Sequence, residues 1–151
     1  MKLWRENEQD SGKRRLTIFV DANTIVSGLL FDANEALLLK LGKNGVCSLV
    51  TTRYVIGEVT RVLRAEEFRL SEEVGPFVSY TSKCVRVSES LKRSQLRKYS
   101  SRLADKKDLH VLAGFSELDC DILVTGDKEL LRKVTKARTT RQTLELLLGR
   151  K

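Results

Sequence analysis

The sequence predicts an α/β sandwich, with helices flanking a mostly parallel central sheet. Three observations carry this. Residues 16–20 (LTIFV) and 122–124 (ILV) are short, nearly continuous apolar runs rich in branched side chains, as expected of strands covered on both faces. Elsewhere, apolar residues recur at the helical period: Val55, Val59 and Val62, and again Val111, Leu112 and Phe115. Each of the two apolar runs also leads into an acid, Asp21 directly and Asp127 after Thr125 and Gly126. In open parallel sheets, ligands gather outside the carboxyl ends of the strands, so these two acids stand where chemistry is usually done.

A chain of 151 residues with 41% hydrophobic content suffices for one domain with a sizeable core, assigned to residues 16–148. Residues 1–15 read as a flexible basic extension in which Trp4 is the only large anchor. No run reaches the roughly 18 apolar residues of a membrane span. The amino terminus is polar and of mixed charge, without the apolar centre of a signal peptide, so the expectation is a cytoplasmic protein with no membrane association. Cys47, Cys84 and Cys120 are odd in number and widely spaced, which suggests buried thiols rather than a disulfide framework or a zinc site.

In order, the first strand (16–20) is followed by a helix within residues 23–45, bent around Gly28 and Asp32 and stopped by Gly42 and Gly45. A second strand is expected over residues 46–50. Thr51 or Thr52 can then cap a helix over residues 53–63. Glu58 falls on its apolar face, three residues after Val55 and four before Val62, where a carboxylate is costly unless it is paired. Ser71 can start the next helix, with Glu72 and Glu73 in its first turn and Pro76 near its start or in a kink. Val85 and Val87 suggest a short strand. Residues 91–103 suggest a basic helix, with Leu96 and Tyr99 inwards and Lys92, Arg93, Arg97 and Lys98 outwards. Asp105 and Asp108 open the helix that carries Val111, Leu112 and Phe115. Val134 begins an expected edge strand, and Thr139 with Gln142 forms a capping box for a last helix over residues 143–148.

The charge is uneven. The formal net charge is +8, yet residues 83–102 hold seven Lys or Arg against Glu89 alone, and residues 128–151 hold eight against Glu129 and Glu145. Two basic segments around an acidic remainder favour a polyanionic partner, with Arg93, Arg97 and Lys98 as expected nucleic-acid contacts. Asp21 and Asp127 leave one sheet edge, while Glu58 and Asp108 sit on helices that can approach it. Carboxylates gathered there repel one another unless a cation neutralises them, and hard oxygen ligands suit Mg2+ or Mn2+. Such a site fits phosphodiester hydrolysis. Asn23 can donate to a phosphate or to Asp21, and Thr125 can orient Asp127. Structural readings stand beside these: Asp105 and Asp127 as helix caps, Glu58 as a surface glutamate, and His110, the only histidine, as a helix residue filling a surface or core position.

FVDAN, the acid Glu58 after the second strand, DKKDLHVLAGF and ILVTGDKELL, in that order, resemble a PIN domain over residues 16–148. The likeness is strongest from Asp108 to Leu131. It implies a PIN-like three-layer sandwich and a Mg2+- or Mn2+-dependent endoribonuclease acting on single-stranded RNA. By motif it makes Asp21, Glu58, Asp108 and Asp127 the catalytic and metal-holding acids, with Asn23, Thr125 and Asp105 in support. Many small members are similar to the VapC toxins, which implies a possible antitoxin protein and homodimer. Two other classes fit parts of the chain: a non-catalytic RNA- or partner-binding module, and a haloacid-dehalogenase-like phosphatase. The latter rests on FVDANT, in which Asn23 stands where a second acid would be needed.

Overall fold

Residues 14–65, 74–102 and 105–149 are described by the structure, a computed structural model. Residues 1–13 of the expected 1–15 extension and the helix start at Ser71 lie outside them. β1 (Thr17–Val20) is buried at every position, and Asp21 alone separates it from α1 (Ala22–Leu30). α2 (Asn34–Lys43), β2 (Ser48–Thr52), α3 (Arg53–Leu63), α4 (Val74–Cys84) and β3 (Val85–Ser88) follow. The second half comprises α5 (Arg93–Arg97), α6 (Lys106–Glu117), β4 (Ile122–Val124), α7 (Lys128–Lys133), β5 (Ala137–Arg138) and α8 (Thr140–Leu148).

All neighbouring strands pair in parallel, in the order β3-β2-β1-β4-β5. From β1 the chain builds outwards through β2 and β3, then returns to lay β4 and β5 on the other side. The reversal falls between β1 and β4, where a crevice opens at the carboxyl ends of the strands. Val20 pairs with Val124, so the two chains leave the sheet level with each other. No helix among the described residues is long and apolar enough to cross a membrane.

Several boundaries differ from the sequence expectation. The single bent helix is two helices, because Phe31 and Ala33 are extended between them. Gly28 permits their close crossing: a Cβ there would stand 2.6 Å from Leu39 Cδ1. The second strand lies two residues later than its apolar run suggested. Val46 is exposed, whereas Thr51 is fully buried and its hydroxyl donates to Val20 O at 2.9 Å, so hydrogen bonding carries the strand past the aliphatic residues. The basic helix is confined to Arg93–Arg97, and Leu103 lies outside the described residues. Val134 ends α7, its N–H donating to Leu130 O, and the edge strand begins only at Ala137. The last helix starts at Thr140, immediately after the expected Thr139 cap, whose capping box with Gln142 is formed.

α6 is the helix most enclosed by the fold, with residues from His110 to Phe115 all buried. Gly114 lets it approach the sheet, since a Cβ there would come 2.7 Å from the Phe19 ring and 3.2 Å from Thr52 Cγ2. That approach fixes where the amino end of α6, with Asp108, meets the crevice. Gly114→Ala should therefore push α6 off β1 and cost about 1–3 kcal/mol. Urea denaturation would show the loss as a lower midpoint, and an unchanged midpoint would count against this packing.

Candidate active site

At the crevice between β1 and β4, Asp21 is the first residue past its strand and caps α1. Its Oδ1 accepts from Thr24 N at 2.9 Å, and its Oδ2 accepts from the Thr125 hydroxyl at 2.7 Å. Asp21 is 8% exposed and Thr125 1%. The Thr125 hydroxyl also accepts the Asp127 N–H at 3.1 Å. It thus orients the Asp21 carboxylate and the Asp127 backbone, where the sequence suggested that it orients Asp127 alone. Asp127 caps α7 through Leu130 N at 2.9 Å, and Asp105 caps α6 through Lys107 N at 2.7 Å. The capping readings of Asp105 and Asp127 therefore describe real contacts, and both residues also line the cleft.

That cleft, of about 200 Å3, is lined by Asp21, Asn23, Glu58, Asp105, Asp108 and Asp127 together with Tyr54, Arg61 and Lys107. Asp108, half-buried in the first turn of α6, has its carboxyl pushed up to about 6. Burial is the largest cause, followed by the negative charges of Asp127, Asp105 and Glu129 and a hydrogen bond shared with Glu129. Glu129 was not singled out from the sequence; its only signal there was its place two residues after Asp127, in the first turn of α7. Glu58 has a different balance. It accepts from Arg61 Nη2 at 3.1 Å and Nε at 3.4 Å, and pairs with Lys107 Nζ at 3.3 Å. The Arg61 hydrogen bond is the main reason its carboxyl is held below the usual range.

Arg93, Arg97 and Lys98 are not brought to this cleft. α5 docks on the carboxyl end of α6, where Glu117 accepts from Tyr99 Oη at 2.7 Å and from Gln95 Nε2 at 3.2 Å, and pairs with Lys98 at 3.6 Å. Glu117 stands nine positions after Asp108 on the helix, about 13 Å along the axis. His110 is buried and stacks on Tyr54 with ring centroids 3.5 Å apart and planes 3° from parallel; burial holds its pKa below the ordinary value. It packs against the Tyr54 ring.

Among the described residues, no group of three or more His, Cys, Asp or Glu side chains forms a ready cage for a metal ion. The donor set nevertheless fits a hard divalent cation such as Mg2+, which keeps several waters and needs only one or two carboxylates besides substrate phosphate. The mutual repulsion written into Asp108 is what such a charge relieves.

The raised Asp108 pKa also fixes a pH dependence of stability. Between the ordinary carboxyl value and about 6 the folded state holds a proton that the unfolded state has lost, so stability falls as pH rises through that window. In metal-free buffer, Asp108→Asn should raise Tm at pH 7 by roughly 2–4 °C, a penalty on the order of 1 kcal/mol after solvent screening. The gain should fade as pH falls to about 4. Thermal melts across this range would sink the assignment if the gain were flat.

A PIN domain family model matches residues 17–129. Among solved structures, PAE2754 from Pyrobaculum aerophilum is similar with a TM-score of 0.68 and 20% identity, over 89% of this chain and 96% of that one. VapBC2 from Rickettsia felis, bound to a DNA fragment from its promoter, gives 0.62 and 11%, over 82% and 98%. Mycobacterium tuberculosis VapC20, a sarcin-ricin loop cleaving toxin, gives 0.53 and 18%, over 76% and 93%. No curated protein matches. At these identities the structures speak to the fold, and the family model spans β1 to β4 and every acid of the cleft: the chain belongs to the PIN domain family.

Proposed function

We propose that the protein is a metal-dependent endoribonuclease that hydrolyses phosphodiester bonds in single-stranded RNA. The observation that carries the reading is the gathering of Asp21, Asp105, Asp108 and Asp127 in one cleft at the switch point of a PIN sheet. Asp21, Asp108 and Asp127 would hold Mg2+ or Mn2+. When bound, such an ion supplies positive charge that acidifies an attacking water and offsets charge developing on the phosphate. The chain's own contribution is position. Thr125 fixes the Asp21 carboxylate, Leu130 N steadies Asp127, and Asn23, exposed at the rim, would offer an amide to a phosphate oxygen. The likeness to VapBC2 and VapC20 supports a small antitoxin protein as partner, one that would cover this cleft.

The test is cleavage of an end-labelled single-stranded RNA with Mg2+, Mn2+ or EDTA, using wild type beside Asp108→Asn and Asp127→Asn. Cleavage should require the metal, and each substitution should lower kcat by two or more orders of magnitude, since polarisation by the ion contributes several kcal/mol. Cleavage that persists in EDTA or in both variants would remove the metal site. RNA binding without cleavage under every metal would make the protein a binding module.

A further inference from the structure

We propose that Tyr54, backed by His110, is a stacking platform for one unpaired base of the RNA beside the acids of the cleft. The inference rests on the ribonuclease reading and deepens it, by naming what seats a base of the substrate at the same site.

Tyr54 is the second residue of α3, just past β2, and lines the cleft together with Asp21, Glu58, Asp105 and Asp108. Thr52 caps that helix, its hydroxyl accepting from Val55 N at 3.4 Å, so the strand end sets the backbone that carries the ring. Tyr80 and Tyr99 pack against the apolar core, whereas Tyr54 is half-buried on the cleft and meets His110. The two rings lie 3.5 Å apart and 3° from parallel, so His110 covers one face of Tyr54. What this residue offers the cleft is therefore the other face or the edge of the ring. His110 is 9% exposed and belongs to the enclosed part of α6, so the ring that backs Tyr54 is itself held on a rigid element. Its spacing from Tyr54 is close to that of successive bases, about 3.4 Å, and a base laid on Tyr54 would add one more layer to the stack. Glu58 follows Tyr54 by four residues, about 6 Å along the axis of α3. A base on the ring would thus leave its own sugar and phosphate beside the acids. The consequence is a choice of substrate class. A paired base is enclosed in its duplex and cannot reach the ring, so the platform selects single strands; every base has a π face, so it does not select a sequence.

Two measurements test this. The first is steady-state cleavage of single-stranded RNA with Mg2+. Tyr54→Ala should raise KM about 10-fold, the loss of one stacked base, while kcat stays near wild type. Tyr54→Phe and Tyr54→Trp, which keep a flat ring, should keep the wild-type KM, and Tyr54→Leu, which fills the space without a π face, should behave as Tyr54→Ala. The second is fluorescence of an oligouridylate carrying one 2-aminopurine, its position varied along the strand, titrated with protein in EDTA. Emission of this base falls when it stacks on an aromatic ring, so wild type at saturation should quench one position that Tyr54→Leu leaves bright. A wild-type KM in both Tyr54→Ala and Tyr54→Leu overturns the platform even if wild type cleaves RNA, as does quenching that Tyr54→Leu leaves unchanged. Loss of kcat in Tyr54→Phe at an unchanged KM overturns it too, because the hydroxyl would then be the working group. RNA that is bound but never cleaved removes the ribonuclease reading, and the quenching alone then decides the platform; RNA that is cleaved but not bound in EDTA leaves the decision to KM. Wild type that neither binds nor cleaves RNA removes both. Urea midpoints for each variant separate these outcomes from loss of folding.

Discussion

The hydrogen bond from the Thr125 hydroxyl to the Asp21 carboxylate, 2.7 Å long and almost wholly buried, ties the two strand exits on which the cleft is built. Through the same oxygen Thr125 accepts the Asp127 amide, so the departure of the chain from β4 is set against the carboxylate that leaves β1. A carboxylate that accepts from a hydroxyl and a helix amide stays hydrated in effect without meeting water, which allows an acid to sit at 8% exposure beside the core. Parallel pairing of β1 with β4 brings the partners within reach, and the hydroxyl fixes their orientation.

The acids of the cleft hold two positions at once. Asp21, Asp105 and Asp127 each cap a helix, so each spends one oxygen on a backbone amide and lies at the positive end of a helix dipole. This lets several carboxylates collect on one edge while their remaining lone pairs look into the cleft. Asp108 is not a cap. It stands in the first turn of α6 behind Asp105, and its burial first, then the negative charges of its neighbours, push its carboxyl up to about 6. Structural and chemical readings of a strand-end aspartate are therefore compatible, because one side chain has oxygens enough for both.

Glu58 shows the other solution to a carboxylate on an apolar helix face. Val55, Val59 and Leu63 bury the stripe, and the acid at its edge is compensated by cations from its own helix and from α6. α6 brings both Asp108 and Lys107 to the cleft, and its close approach to Phe19 at Gly114 sets where its amino end stands. Gln95 of α5, with Lys98 and Tyr99 just after it, bonds to Glu117 at the far end of that helix, so this segment and the cleft lie at opposite ends of α6.

By itself the sequence determined what depends on near neighbours. Branched runs covered on both faces gave β1 and β4, helical spacing gave α3 and α6, and an acid after each of those strands gave Asp21 and Asp127, because strand, period and cap are written within a few adjacent residues. The order of acids and strands was also enough to expect Asp21, Glu58, Asp108 and Asp127 at one edge, and they line one cleft. What the tertiary structure alone decided was pairing. Thr125 turned to Asp21 rather than to the Asp127 side chain, Glu129 joined Asp108, Arg61 and Lys107 closed on Glu58, and Arg93, Arg97 and Lys98 went to the other end of α6. Most of those contacts join different elements of the chain. No local pattern encodes them, because each depends on how close two elements pack and on which face each turns to the other.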